Sequence, residues 1–121
     1  MRNLILVGAA VLLAACSVLP APRSPAETLY DLRAAYDAAV LAPAASYAQL
    51  PTCGAAGAGV VCSEPAALAE IRQADKAVLT ALDTAEGLVR THPQADASMA
   101  LDAARAAIGA AEKILALYGV K

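Results

Sequence analysis

The chain has 121 residues and a formal net charge of −2, with nine basic and eleven acidic side chains. This mild acidity argues against nucleic-acid binding, which needs a concentrated basic patch. Alanine makes up more than a quarter of the chain and phenylalanine and tryptophan are absent, so each buried side chain adds little apolar area. The composition therefore predicts one small domain, and the high helix propensity of alanine predicts an all-α fold.

The N-terminal stretch has the plan of an export signal. Arg2 supplies a positive charge, and an uncharged apolar run then extends from Leu4 to Leu13 before a cysteine. The run has about ten residues, half of what a helix needs to span a bilayer, so a cleaved signal is favoured over a transmembrane segment.

The end of this stretch, Leu13-Ala14-Ala15-Cys16, closely resembles the lipobox of bacterial lipoproteins. The resemblance covers only the first sixteen residues. It implies that residues 1–15 are a signal peptide cut between Ala15 and Cys16, and that the Cys16 sulfur carries a diacylglyceryl group. Membrane attachment would then depend on covalent lipid, and two or three acyl chains give stable anchoring where one does not.

The residues after the cysteine predict the compartment and a tether. Lipoproteins held at the inner membrane tend to carry aspartate where this chain has Ser17, which implies the outer membrane, on the leaflet facing the periplasm. Pro20 and Pro22 favour extended polyproline II, so residues 16–24 are predicted to form a tether on the order of 25 Å long.

The folded domain is predicted to cover residues 25–121. Ser24-Pro25-Ala26-Glu27 is a capping box with proline at the first helical position. An apolar stripe at steps of three and four follows, made of Leu29, Leu32, Tyr36 and Val40.

The end of this first helix is ambiguous in the sequence. Pro43 removes a backbone donor and crowds the preceding turn. Tyr47 and Leu50 nevertheless extend the stripe beyond it. We predict a kinked continuation to about Leu50, ended by Pro51, with a break at Pro43 as the alternative.

Two cysteines bound the next segment, at 53–62. In an oxidising periplasm, Cys53 and Cys62 are predicted to form a disulfide that fixes the crossover to the second helix. Their spacing does not match the redox motif C-x-x-C. The intervening glycines lack the Lys-Ser/Thr end of a phosphate-binding loop.

Two longer amphipathic helices complete the chain. The second is predicted to begin with Ser63 as its N-cap and to stop at Thr91-His92-Pro93. Its stripe is Leu68, Ile71, Val78, Leu82 and Val89, with Ala74, Ala81 and Ala85; its charged side chains are predicted to form a solvated face.

The third helix is predicted to be capped by Asp96 and to end at Gly119. Its stripe is Met99 or Ala100, then Ala103, Ala107, Ile108, Ala111, Leu115 and Tyr118. The whole is predicted to be a small, alanine-rich three-helix bundle, an antiparallel hairpin crossed by the kinked first helix.

The residue inventory does not favour an enzyme. His92 is the only histidine, and helix geometry gives no reason for Asp96 and Ser98 to converge on it. Clustered zinc ligands are lacking, and no cofactor other than the lipid on Cys16 is expected.

The sequence favours a structural or binding accessory protein in the envelope, with an envelope protein as its partner. A phage- or prophage-encoded lipoprotein acting in lysis or superinfection exclusion is the alternative, which gene neighbours would decide. A third hypothesis is peptidoglycan attachment through Lys121, because the major murein lipoprotein is similar in ending with lysine; that family is otherwise a single uninterrupted heptad helix.

Overall fold

A computed structural model describes residues 23–93 and 95–121. All regular secondary structure in the described residues is helical, as predicted. Helix α1 covers Pro25–Tyr36, a π-helical segment covers Asp37–Leu41 and α2 covers Ala42–Ala48. After a loop, α3 covers Pro65–Thr91 and α4 covers Ser98–Leu117. No helix in the described ranges is long and apolar enough to cross a membrane.

The first helix begins at the predicted capping box. The Glu27 amide donates to Ser24 Oγ at 3.2 Å, and the Ser24 amide donates to Glu27 Oε2 at 2.8 Å. Two orphan donors of the first turn thus gain partners. The pKa of the Glu27 carboxyl is lowered chiefly by its hydrogen bonds from Ser24.

The chain passes Pro43 without a break. The Ala42 amide bonds to the carbonyl of Asp37, five residues back, which adds one residue to the turn before the proline. Leu41 and Ala42 keep right-handed helical backbone angles. The predicted continuation is confirmed rather than the break, although α2 ends at Ala48, two residues before Leu50.

Helices α3 and α4 form the predicted hairpin, and α1 packs against both. Helix α3 ends at Thr91, just before His92 and Pro93, as predicted. The carboxylate of Asp96 accepts from the Ser98 amide at 2.9 Å, so it caps the first turn of α4 from the position before the geometric N-cap. Gly119, at a φ of +66°, follows the last turn of α4, as predicted.

The core is made of one stripe from each helix. Helix α1 and its continuation contribute the residues predicted for them. Helices α3 and α4 each contribute branched side chains separated by alanines. The buried set is Leu29, Leu32, Tyr36, Val40, Ala67, Ile71, Val78, Leu82, Ala85, Ala97, Leu101, Ala104, Ile108, Ala111 and Leu115.

Two local predictions were wrong. Ser63 is not the N-cap of α3: that position belongs to Glu64, and Ser63 is buried with its hydroxyl donating to the Leu50 carbonyl at 3.1 Å. The first turns of α4 are rotated from the predicted face, because Leu101 and Ala104 are buried and the predicted Ala103 is exposed. Of the alternatives Met99 and Ala100, Met99 is 85% exposed and Ala100 packs partly buried against the core.

Polar side chains also join α1 to α3. The buried Tyr36 hydroxyl donates to Asp75 Oδ1 at 2.5 Å. The Arg33 guanidinium donates to Asp83 at 3.1 Å and also to Glu86, and these carboxylates raise its pKa. Asp83 and Glu86 belong to the charged face of α3 that was predicted to be solvated. The Asp83 side chain is 72% exposed and that of Glu86 is 36% exposed, and both also bond to Arg33 of α1, a contact that the prediction did not include.

We predict that ionisation of the Tyr36 hydroxyl causes a specific loss of stability at alkaline pH. Burial raises the pKa of Tyr36, and the hydrogen bond to Asp75 raises it further. Below pH 10, which is about the pKa of tyrosine in the unfolded chain, Tyr36 makes its full contribution to the free energy of unfolding. Above it the unfolded chain releases a proton that the folded chain keeps, so the free energy of unfolding falls by roughly 1.4 kcal/mol per pH unit.

Denaturant titrations between pH 8 and 11.5 measure this effect. We expect Tyr36→Phe to be less stable near pH 8, by about 1 kcal/mol for the lost hydrogen bond, but to lose less stability than the parent above pH 10. Tyr30→Phe is the matched control, because Tyr30 is 76% exposed. Equal alkaline losses in the parent and in Tyr36→Phe would contradict the assignment.

Candidate interaction surface

The helix directions give the bundle two distinct ends. Ser24, next to the predicted tether, lies at the same end as the turn between α3 and α4, which we call the proximal end. The loop between α2 and α3 lies at the other, distal end, together with the end of α4. The carboxylate of Glu70, in the second turn of α3, accepts from the Tyr118 hydroxyl at 2.8 Å, which ties these elements together.

The distal end is built from an uncharged part of the chain. The 26 residues from Ala38 to Ser63 include no aspartate, glutamate, lysine, arginine or histidine. They form most of the π-helical segment, all of α2 and the whole connection to Glu64. Depletion of charged residues is a property of the central part of protein interfaces.

The loop at this end is held closed at its base. The Sγ atoms of Cys53 and Cys62 lie 2.02 Å apart, as the predicted disulfide requires. Beside them, the Cys53 amide donates to the Ser63 carbonyl at 3.0 Å, and the Ser63 amide donates to the Pro51 carbonyl at 2.8 Å. The Tyr47 hydroxyl accepts from the Glu64 amide at 2.9 Å, which connects the loop to α2.

Two tight turns shape the part of the loop between the cysteines. The Ala55 amide donates to the Thr52 carbonyl, and the Ala58 amide donates to the Ala55 carbonyl. Gly54 and Gly57 each have a φ of +83°, a conformation that a side chain disfavours. The glycines therefore serve the turns, which agrees with the sequence argument against a phosphate-binding loop.

Large apolar side chains are exposed at this end. Val60 is fully exposed and Val61 is 67% exposed, both inside the disulfide loop. Leu117, in the last turn of α4, is 79% exposed, and Leu41 is 44% exposed. We call the uncharged segment Ala38–Ser63 the distal cap. No sequence argument singled it out, although its lack of charge could have been counted.

The C-terminal residues fold back beside the distal cap. The Val120 amide donates to the Leu115 carbonyl at 3.0 Å, and Val120 packs partly buried against the core. Lys121 is exposed and borders a shallow cavity of about 200 Å³ next to Tyr47 and Leu50. The lysine named in the peptidoglycan hypothesis thus lies at the end opposite Ser24.

At the proximal end, His92 lines a cavity of about 240 Å³ together with Ser24 and apolar residues. Thr91 Oγ1 lies 2.7 Å from His92 Nδ1 and donates to the Gly87 carbonyl, so it is set to accept from Nδ1–H. The Ser24 hydroxyl is engaged by Glu27 in the capping box. The Asp96 carboxylate accepts from the Ser98 amide at the start of α4.

The remaining predicted site residues cannot be placed. Ala15 and Cys16, with the rest of the lipobox, lie outside the described residues, so the predicted cleavage and lipidation stay predictions. Within 23–93 and 95–121, no group of three or more histidine, cysteine, aspartate or glutamate side chains is arranged to hold a metal ion. Comparison with protein-family models, curated proteins and solved structures found no match for this chain.

The disulfide is expected to order the distal cap rather than the helices. In the chain-entropy model, closing so short a loop stabilises the fold by roughly 2 to 3 kcal/mol. We expect Cys53→Ser with Cys62→Ser to lower the free energy of unfolding by about this amount, and to speed amide hydrogen exchange in residues 53–63. Exchange in the middle of α3 and α4 should keep its order of protection.

The control for this experiment is Ser17→Ala, which leaves both cysteines intact. Thiol alkylation of the parent without reductant should leave Cys53 and Cys62 unmodified. Free thiols in the exported parent would contradict the disulfide. Unchanged amide hydrogen exchange in residues 53–63 of the double variant would contradict its role in ordering the distal cap.

Proposed function

We propose that this chain is a small lipoprotein of the outer membrane with a structural or binding accessory role in the periplasm. The lipobox, Leu13-Ala14-Ala15-Cys16, is the observation that carries the location. The disulfide-linked pair of Cys53 and Cys62 supports an oxidising compartment, because such bonds persist there and are rare in the cytosol.

The binding role is supported by how the two ends of the bundle differ. The tether joins the fold at Ser24, where charged side chains are frequent: Arg23 precedes α1, and Glu27 and Asp31 lie in its first two turns. The distal cap has no charge and exposes Val60 and Val61. A partner that is reached away from the bilayer would meet this uncharged cap first, with Lys121 beside it.

The geometry of the cap suits recognition of an apolar protein surface. Because the disulfide and the Ser63 hydrogen bonds hold the base of the loop, less conformational entropy is lost on binding than for an open loop. Valine and alanine expose modest apolar area and no hydrogen-bonding groups. The partner is therefore expected to offer a complementary uncharged patch rather than a charged one.

Metabolic labelling tests the anchor. With an alkyne analogue of palmitate, we expect label on the full-length protein, loss of label in Cys16→Ser, and release of that variant from the membrane fraction. Cys53→Ser with Cys62→Ser is the matched control, because it removes two cysteines and should stay labelled. An unlabelled parent, or equal labelling of Cys16→Ser, would refute lipidation at this residue.

Photo-crosslinking in living cells tests the distal cap. With a benzophenone amino acid at Val60, we expect one discrete adduct, and the adduct should weaken when Cys53 and Cys62 are both serine. The same probe at Ala35, an exposed position on α1, is the control and should not give that adduct. The absence of an adduct at Val60, or the same adduct from Ala35, would contradict the proposed role of the distal cap in binding.

A further inference from the structure

The Cys53–Cys62 disulfide crosslinks one surface loop and does not join two helices. Both cysteines belong to the connection between α2 and α3, nine positions apart in the sequence. Residues 54–61 between them are exposed, apart from the partly exposed Ala58, and none belongs to the hydrophobic core. The hydrogen bonds found in this stretch, within the described part of the chain, are those of its own two turns. The disulfide therefore restrains the loop and not the packing of the bundle.

The base of the loop has a second set of restraints that contains no sulfur. Ser63 is buried, and its hydroxyl donates to the Leu50 carbonyl. Its amide donates to the Pro51 carbonyl, and its carbonyl accepts from the Cys53 amide. These hydrogen bonds join the start of α3 to the end of α2 without help from the disulfide. Breaking the S–S bond would therefore free residues 54–61 and leave the base of the loop in place.

The disulfide lies where a thiolate can approach it. Cys53 and Cys62 are both partly exposed, and their neighbours within the loop, Gly54 and Val61, are exposed. The surrounding segment, the distal cap, has no acidic side chain that would repel an anionic thiolate. Exposed disulfides are reduced more easily than buried structural ones, because exchange depends on access to a sulfur atom.

We infer that the Cys53–Cys62 bond is a redox switch that opens and closes the loop of the distal cap while the helical bundle stays folded. In the oxidised form, Val60 and Val61 are displayed on a closed loop. In the reduced form, residues 54–61 make an open loop on the base formed by Ser63. The effect on a partner rests on the proposed binding role: an open loop loses more conformational entropy on binding, so the reduced cap binds more weakly.

The reductant is a protein dithiol, for which C-x-x-C is the usual motif. One thiolate of the dithiol attacks a sulfur of the Cys53–Cys62 bond, so an intermolecular disulfide forms and the other cysteine leaves as a thiolate that takes up a proton. The second thiol of the dithiol then loses its proton and attacks the intermolecular disulfide, which releases the remaining cysteine as a thiol. Two electrons pass to this chain, and the dithiol becomes a disulfide.

Reduced thioredoxin, a protein with the C-x-x-C motif, is the probe for local opening. We expect it to reduce Cys53 and Cys62 of the full-length protein in mild detergent, without denaturant, as measured by alkylation of both thiols. Circular dichroism should show unchanged helicity. Amide hydrogen exchange in residues 54–61 should become faster by at least about tenfold.

The matched control is Cys53→Ser with Cys62→Ser. Its amide exchange in residues 54–61 should equal that of the reduced parent and should not respond to thioredoxin. Reduction of the parent that needs denaturant, or that proceeds only with a loss of helicity, would overturn the switch. In either case the bond would be released by unfolding of the bundle rather than by opening of the loop.

Crosslinking from the benzophenone at Val60 tests the consequence for the partner. In isolated membranes, reduced thioredoxin added before irradiation should lower the yield of the adduct severalfold. A chain whose two cysteine sulfurs are joined through one methylene group is the control, because thioredoxin cannot reduce that bridge, and its yield should not change. Equal yields from the oxidised and the reduced parent would overturn the switch.

The two measurements separate this inference from the proposed function. Native reduction of the loop with no adduct from either form supports the switch and contradicts the binding role. An adduct of equal yield from both forms refutes the switch and keeps the binding role.

Discussion

The close packing of α3 against α4 is the constraint on which the rest of this fold depends. Ala67, Ala85 and Ala104 are completely buried, and Ala111 nearly so. Small side chains at these positions let the two helix backbones approach closely, so the hairpin forms a thin two-helix layer. A thin layer has two broad faces, and one additional helix covers only one of them.

The first helix covers that one face with the largest core side chains it has. Leu32, Tyr36 and Val40 supply apolar area that the alanines lack, while Arg33 and the Tyr36 hydroxyl bind acidic side chains of α3. In a core with no phenylalanine or tryptophan, hydrogen bonds to charged groups are a larger share of the stability than in a core rich in aromatic residues. The π-helical segment and α2 then bring the chain to the distal end without an intervening loop.

The sequence predicted well wherever a residue type has few alternatives. Proline and glycine fixed the helix ends near Pro25, Thr91 and Gly119, and the branched residues of α1 defined its buried face. Prediction failed at the start of α4, because alanines on nearly every side of a helix leave its rotation undetermined. There Leu101 carried the signal, and the alanine pattern outweighed it.

The candidate surfaces were less predictable than the fold, for a different reason. Ser63 precedes Glu64 and Pro65, a pattern typical of a helix start, but closing the Cys53–Cys62 loop draws its backbone into hydrogen bonds with Pro51 and Cys53. Likewise, nothing local to Asp83 or Glu86 indicates that Arg33, fifty residues earlier in the chain, meets them. Contacts between distant segments depend on how the helices cross, which local pattern does not encode.

The distal cap combines two properties that conflict in a free loop. An uncharged segment of 26 residues with exposed valines is prone to nonspecific association, because no like charges keep copies apart. A flexible segment of that kind would be a liability in a crowded compartment. Closing the loop with a disulfide limits the exposed apolar side chains to a few fixed positions, and glycine and alanine around Val60 keep the exposed apolar area small. Under the proposed binding role, the same restriction would make the cap selective, since only a surface that matches one loop shape would gain from burying it.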